Sequence, residues 1–214
     1  MPLRARVAEK PAPLPEMVKT AEELELMRIS GRLLASVFEM LDTLDLAGLS
    51  TMQINDLVER FIREDCAARP ASKGQYGYEY VLNCSINEVV CHGVPSDEVI
   101  VQDGDIINLD ITLEKNGFIA DSSKMYLIGE ATPAARQLVD KTYEAMWAGI
   151  RVVKPGATLG DVGYAIQRHA QRHGEHAGRL GVERAGMARL LRLQRPAGLG
   201  DHLGRADAQR LVDD

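Results

Sequence analysis

The stretch NLDITLEKNGFIADSSK, residues 108–124, predicts two β-strands joined by a tight turn. Asn116-Gly117 is a residue pair strongly preferred at the centre of a two-residue type I′ turn. Before this pair, apolar and polar residues alternate, which is typical of a strand with one buried face. Asp110 lies in the first strand and Asp121 in the second, so the segment predicts a hairpin that carries two carboxylates.

The relative position of the two aspartates depends on the centre of the turn. With Asn116-Gly117 at the centre, Asp121 faces Thr112, and Asp110 lies one diagonal step away on the same face. With Lys115-Asn116 at the centre, the two aspartates face each other directly. A three-residue loop without a bulge would instead separate them, so the inference depends on the turn.

Two carboxylates on one face of a hairpin repel each other, and burial raises the cost unless they have a partner. A divalent cation, or a pair of them, would remove the repulsion and supply chemistry. Carboxylate ligands suit Mn, Fe, Co, Zn or Mg, and the sequence does not choose among these metals. The alternative is that this face is solvated and both aspartates are polar surface residues, because the neighbouring Asn108 and Thr112 also fit a solvated face.

Helices are predicted on both sides of a β-rich middle segment. Thr20 with Glu23, and Ser50 with Gln53, form capping boxes before two amphipathic stretches. After the hairpin, one helix is predicted from about Pro133 to Val153. A second begins at the capping pair Thr158 and Asp161 and ends near Gly174. In the middle, YGYEYVLNCSINEVVCHGVP (residues 76–95) is rich in β-forming residues, with a predicted break at Asn83-Cys84-Ser85.

The two ends of the chain differ from this pattern. Residues 1–18 are rich in proline and charge and predict a flexible tail. Residues 175–214 are dominated by Ala, Gly, Leu and Arg and contain no Ile, Phe, Tyr, Trp, Lys, Ser, Thr, Asn or Cys. Such a change indicates low-complexity sequence or an altered reading frame, and the alternative is a short Arg-rich helix with a frayed end. The folded part is therefore expected over residues 19–174.

Composition narrows the class of protein. The net charge of −6 argues against a nucleic-acid partner. Three cysteines are too few and odd in number for a disulfide framework, which favours a reducing compartment. The sequence shows no signal-peptide core and no apolar run long enough to cross a bilayer. We therefore expect a cytoplasmic protein, monomeric and without a membrane partner.

His92 is the third candidate site residue. It is expected to end a β-type run, just before Gly93 and Pro95, where a turn can project an imidazole into a cleft. Such a group can transfer protons or bind substrate. Taken alone, the position favours a structural histidine over a functional one. Cys84 and Cys91 lack the spacing of a zinc-thiolate site.

Three segments together carry a family resemblance: SINEVVCHGVP (85–95), DGDIINLDIT (103–112) and GFIADSSKM (117–125), extended by VKPGATLGDVGYAIQRHA (153–170). In order and spacing they resemble the type I methionine aminopeptidases of peptidase family M24. The resemblance spans about residues 20–174.

The resemblance implies an α+β pita-bread fold, a curved antiparallel sheet flanked by helices. It implies that Asp110 binds one of two divalent metal ions (Co, Mn, Fe or Zn), that Asp121 bridges both, and that His92 contacts the substrate near the scissile amide. The implied activity is removal of the N-terminal methionine from nascent polypeptides. An apolar pocket for that methionine would include a tyrosine and a cysteine, for which Tyr78 or Tyr80 and Cys84 are possible equivalents.

The sequence also departs from the family. The resemblance leads us to expect a histidine in a GHG motif and two later glutamates as further metal ligands, and none is recognisable. We therefore expect the C-terminal half of the fold to be incomplete, through truncation or a frameshift after about residue 174, and little or no activity. The alternatives are a non-catalytic pita-bread binding module, or an aminopeptidase that cleaves before proline.

Overall fold

The computed structural model describes residues 18–173. The predictions for residues 1–17 and for Gly174 and the segment 175–214 lie outside this range. The helices are α1 (Ala21–Asp42), α2 (Thr51–Glu64), α3 (Pro133–Ile150) and α4 (Leu159–Arg172), and the strands are β1 (Arg69–Pro70), β2 (Leu82–Ile86), β3 (Ile106–Lys115) and β4 (Phe118–Leu127). The described residues divide into two compact units, 18–131 and 132–173.

The predicted helix starts are confirmed. In the capping box of α1, the Glu23 amide donates to Thr20 Oγ1 at 3.2 Å, and the Thr20 amide donates to Glu23 Oε2 at 2.8 Å. The same reciprocal bonds open α2 and α4. They satisfy backbone donors that a helix N-terminus leaves without an intrahelical acceptor. The C-terminus of α3 differs from the prediction, because the helix ends at Ile150 and not at Val153.

The sheet of the first unit is antiparallel and is organised around β3. β4 pairs with β3 along its whole length, whereas β2 and β1 pair with successive parts of the opposite edge. The alternating apolar residues of β3 are fully buried and join one hydrophobic cluster with the apolar faces of α1 and α2. The largest fully buried members are Val37, Leu41, Ile54, Val58, Ile62, Leu82, Ile107, Leu109, Ile111 and Leu113. The core thus covers one face of β3, and the two aspartates of the hairpin lie on the opposite face.

The hairpin turn is held against α1 by one buried hydroxyl. Ser30, on α1, is fully buried, and its Oγ donates to the carbonyl oxygen of Phe118 at 2.8 Å. The acceptor lies directly after the turn residues Asn116 and Gly117. This hydrogen bond ties the orientation of the β3–β4 hairpin to the helix that covers it.

The predicted break in the middle segment is wrong. Residues Asn83, Cys84 and Ser85 lie inside β2, paired with Asp110, Leu109 and Asn108 of β3. Pairing with β3 and burial of Cys84 outweigh the local polarity that suggested a break.

β2 also ends earlier than expected, since His92 was predicted to lie at the end of this β-type run. β2 stops at Ile86, and the next residue, Asn87, has a left-handed backbone with φ of 50°. His92 therefore lies in a loop, because the pairing between β2 and β3 extends only from Leu82 to Ile86.

The described part of the second unit is a pair of helices. Gly149 of α3 allows α4 to come close, since a Cβ atom at this position would lie 2.8 Å from Cγ1 of Ile166. Ala145 and Ala170 are buried small residues on the same two helices. Within residues 18–173, none of the helices combines the length and apolarity needed to cross a bilayer.

Candidate metal and substrate site

The two aspartates lie on the same face of the β3–β4 hairpin. The register pairs Thr112 with Asp121 and Asp110 with Ser123, so the carboxylates are diagonal neighbours. This is the register expected for a turn centred on Asn116-Gly117, and both turn residues have left-handed φ values, 54° and 81°. The arrangement with the aspartates directly opposite each other is thereby excluded.

The two carboxylates have different environments. Asp110 is 9% exposed, and Nδ2 of Asn83, on the neighbouring strand, lies 3.4 Å from its Oδ2 atom. Asp121 is exposed, and its Oδ1 atom accepts a hydrogen bond of 3.2 Å from Oγ1 of Thr112. The site thus combines a buried carboxylate, whose negative charge is costly without compensation, with one that solvent and ligands can reach.

Asn83 was missed in the sequence-based prediction. It faces Asp110 across the β2–β3 pair, so its side chain emerges on the aspartate face. Cys84, the suggested pocket residue, pairs with Leu109 and is buried on the core face instead. The alternation Leu82, Asn83, Cys84, Ser85 carries the signal that could have found Asn83, once the strand is recognised.

His92 lies in the loop that follows β2, and its side chain is exposed. The loop is anchored to the strand by its neighbour Gly93. The carbonyl oxygen of Gly93 accepts from the Cys84 amide at 2.8 Å, and its amide donates to Ser85 Oγ at 3.1 Å. The structure therefore holds the backbone next to His92 against the strand that also carries Asn83, while His92 itself is outside the sheet.

The tyrosines near the start of the β segment form a pair. The rings of Tyr78 and Tyr80 meet edge to face with centroids 5.5 Å apart, and the Tyr78 hydroxyl donates to the Leu82 carbonyl at 2.8 Å. Burial raises the pKa of Tyr78 to about 12, and burial also raises the pKa of the Cys84 thiol to about 12. Both groups are neutral at pH 7, so Cys84 does not supply a thiolate nucleophile or ligand.

The two aspartates provide two metal ligands, and the described residues do not add a third from another His, Cys, Asp or Glu. Within residues 18–173, the one group of three or more such side chains close enough to hold an ion is Glu144, His169 and His173, in the second unit. Two carboxylates on one face are suitable ligands for a hard or borderline divalent cation. The residues present therefore fit part of a metal centre.

Comparison with known proteins identifies the family of this chain. Residues 25–207 match Metallopeptidase family M24, a match that runs past residue 174. The methionine aminopeptidase of Escherichia coli K12 is 40% identical over 157 residues, which are 73% of this chain and 60% of that protein. The chain thus spans about 60% of the length of this relative.

Solved structures agree with the fold expected from the sequence. The methionine aminopeptidase of Rickettsia prowazekii superposes with a TM-score of 0.70 at 38% identity, covering 73% of this chain and 62% of that one. The Xaa-Pro dipeptidase of Bacillus anthracis, with a TM-score of 0.63 at 19% identity over 73% of this chain and 42% of that one, shows the shared fold alone. The expected α+β pita-bread fold is confirmed, and the chain belongs to metallopeptidase family M24.

Proposed function

We propose that this chain carries part of the active site of an enzyme that removes the N-terminal methionine from nascent polypeptides. The observation that carries the proposal is the placement of Asp110 and Asp121 on one face of the β3–β4 hairpin. Support comes from the similarity to methionine aminopeptidases at 38–40% identity. Family M24 consists of metallopeptidases, so divalent metal ions are expected at such a site.

Asp110 and Asp121 are the residues that would hold the metal ions. We propose that these two side chains would together hold two divalent ions. Divalent ions at this position would offset the repulsion between the carboxylates and polarise the carbonyl group of the scissile peptide bond. Carboxylate ligands alone do not select among Co, Mn, Fe, Zn and Mg.

The surrounding residues of the chain orient these ligands and the substrate. Asn83 lies beside the buried Asp110 carboxylate, and the hydrogen bond from Thr112 restrains Asp121. Such supporting contacts keep metal ligands in position. We propose that the exposed imidazole of His92 hydrogen-bonds the substrate near the scissile amide, with Gly93 fixing the backbone beside it.

We further propose that this 214-residue chain has little or no peptidase activity by itself. The family resemblance implies five ligands, and candidates for two of them lie on the β3–β4 hairpin within residues 18–173. An incomplete ligand set lowers metal affinity and leaves the transition state without its full electrostatic stabilisation. We also propose that the protein is cytoplasmic and monomeric, and size-exclusion chromatography tests the monomeric state.

Two measurements on the full chain test these proposals. Calorimetry with Mn²⁺ should show weak binding that disappears in Asp110→Asn and in Asp121→Asn but persists in Asp97→Asn, which neutralises an exposed carboxylate elsewhere. Turnover of a Met-Ala-Ser peptide with added Co²⁺ or Mn²⁺ should stay near background. Metal binding unchanged by both site substitutions would refute the metal site, and robust turnover would refute the proposed low activity.

The alternatives predict different results from the same materials. A non-catalytic binding module, which the incomplete ligand set favours, would show no measurable Mn²⁺ binding. An aminopeptidase that cleaves before proline would prefer an Ala-Pro peptide to Met-Ala-Ser. The identity to the Xaa-Pro dipeptidase is about half that to the methionine enzymes, and this difference disfavours the second alternative.

A further inference from the structure

A second cluster of metal-ligating side chains lies on the α3–α4 helix pair, in the second unit. Glu144 belongs to α3, and His169 and His173 are at the end of α4. His169 Nε2 lies 3.1 Å from Glu144 Oε2, and the two imidazole centroids are 4.7 Å apart. One ligand atom from each of the three residues lies within 4.8 Å of the other two.

Helix geometry explains why the two histidines act as a pair. Residues four apart on a helix lie on the same face, one turn from each other. His169 and His173 have this spacing, and their rings are inclined by 41°. The two imidazoles thus lie side by side at the C-terminal end of α4, with His169 in the last turn and His173 as the C-cap residue.

Close packing of the helices brings the glutamate to them. Gly149 of α3 contacts Ile166 of α4 so closely that a Cβ atom at position 149 would overlap the isoleucine side chain. Glu144 lies five residues before Gly149 on α3, and His169 lies three residues after Ile166 on α4. The helix pair therefore fixes the separation between the glutamate and the first histidine.

The electrostatics favour an ionised carboxylate at this point. Lys141 Nζ donates to both oxygens of Glu144, at 2.8 and 2.9 Å. This hydrogen-bonded lysine, and secondarily His169, lower the pKa of Glu144 below its ordinary value. Glu144 is therefore negatively charged at neutral pH, as a metal ligand must be.

The cluster is also open to solvent. The side chain of Glu144 is 44% exposed and that of His169 is 22% exposed, while His173 is exposed. An ion can thus reach all three residues without opening the helix pair. A common ion would replace both the Glu144–His169 hydrogen bond and the Lys141 contacts to Glu144, through rotations of these side chains. The ligand atoms now lie up to 4.8 Å from one another. Around a tetrahedral zinc ion, with zinc–ligand distances of about 2.0–2.1 Å, they would lie roughly 3.3 Å apart.

We propose that Glu144, His169 and His173 form a binding site for a borderline divalent transition metal ion, with Zn²⁺ the first choice. A donor set of two histidines and one glutamate is a set that protein zinc sites use with one coordination position left open. Imidazole ligands favour Zn²⁺, Cu²⁺ and Ni²⁺ over Mg²⁺ and Mn²⁺. The site therefore differs in metal preference from the all-carboxylate pair on the β3–β4 hairpin, and it does not depend on the proposed peptidase function.

The test is a Zn²⁺ titration of the full chain in competition with a chromophoric chelator, under reducing conditions. His173→Gln and Glu144→Gln should each weaken Zn²⁺ binding at least about tenfold. Glu64→Gln is the matched control, because it neutralises an exposed carboxylate at the end of α2, outside the proposed site, and it should leave binding unchanged. The same variants are then measured in a protein that also carries Asp110→Asn and Asp121→Asn. This background lacks the hairpin site, so Zn²⁺ binding that remains in it belongs to the helix-pair site.

Two results would overturn the proposal. One is equal Zn²⁺ affinity in the wild type and in His173→Gln. The other is a loss of binding caused only by the two aspartate substitutions. Far-UV circular dichroism checks that α4 remains helical. His173→Gln is the decisive variant because His173 is an exposed residue beyond the last residue of the helix, so its replacement leaves the helix packing intact.

Discussion

Replacing Gly93 with alanine tests the contact that anchors the His92 loop to β2. A Cβ atom at position 93 would lie 2.0 Å from the Cys84 carbonyl oxygen, 2.7 Å from the Cys84 carbonyl carbon and 3.0 Å from the Ser85 Cα atom. All three are backbone atoms of a strand, so no flexible side chain can rotate away. The loop itself must move.

The expected cost follows from the hydrogen bonds that this movement breaks. The bonds from the Cys84 amide to Gly93 and from the Gly93 amide to Ser85 Oγ contribute about 1 kcal/mol each. Leaving buried groups unsatisfied, or straining the strand instead, adds about 1–3 kcal/mol. Reduced entropy of the unfolded chain offsets about 0.5–1 kcal/mol. We expect a net destabilisation of about 2–4 kcal/mol.

Urea unfolding of the full chain, followed by circular dichroism, measures this change. With a slope of about 2 kcal/mol per molar urea, the midpoint of Gly93→Ala should fall by about 1–2 M. Gly31→Ala is the matched control. Gly31 lies inside α1, and a Cβ atom at this position would have no neighbouring atom within 4 Å, so alanine should stabilise by about 0.5–1 kcal/mol. An unchanged midpoint for Gly93→Ala would show that the loop is not held against β2 in this way.

Three further predictions concern the elements that position the site. Ser30→Ala should lower the free energy of unfolding by about 1–3 kcal/mol, because the Phe118 carbonyl loses a buried donor, and a urea midpoint equal to that of the wild type would contradict this. Gly117→Ala should lower the free energy of unfolding by about 1–2 kcal/mol in the same assay, because the backbone at this position is left-handed, with φ of 81°. A Cβ atom there would meet no neighbouring atom, so the cost arises from the backbone and not from a clash. A stabilised variant would disprove the left-handed turn. Burial raises the pKa of the Cys84 thiol from 9.0 to about 12, so between these values the unfolded chain loses a proton that the folded chain keeps, and stability falls as pH rises. The loss of stability between pH 7 and pH 10 should therefore be about 1–2 kcal/mol smaller in Cys84→Ala than in the wild type, and equal losses in the two proteins would argue against the buried thiol.

Local sequence signals predicted most of the regular structure correctly. The capping boxes at Thr20 and Ser50 begin helices because each depends only on residues three positions apart. The Asn116-Gly117 turn is equally local, and it sets the register that brings Asp110 and Asp121 to one face. These features could be read from the sequence because the residues that cause them are adjacent along the chain.

The extent of β2 could not be read in the same way. Asn83 is polar and suggests a break, yet it lies in the strand because β3 provides a hydrogen-bonding edge up to Ile86 and no further. The face on which Cys84 lies follows from the same pairing. A strand is defined by its partner, and the partner here is more than twenty residues away in the sequence.

By itself, the sequence of this protein determined the helix starts, the hairpin with its two aspartates on a common face, and the resemblance to its peptidase family. The tertiary structure alone decided that Asn83 stands beside Asp110, that Gly93 anchors the loop of His92 to β2, and that Glu144 meets His169 across two helices. The physical reason is the range of the interactions. Backbone preferences and side-chain alternation act over a few residues, whereas contacts between distant residues exist only after the core has brought their elements together.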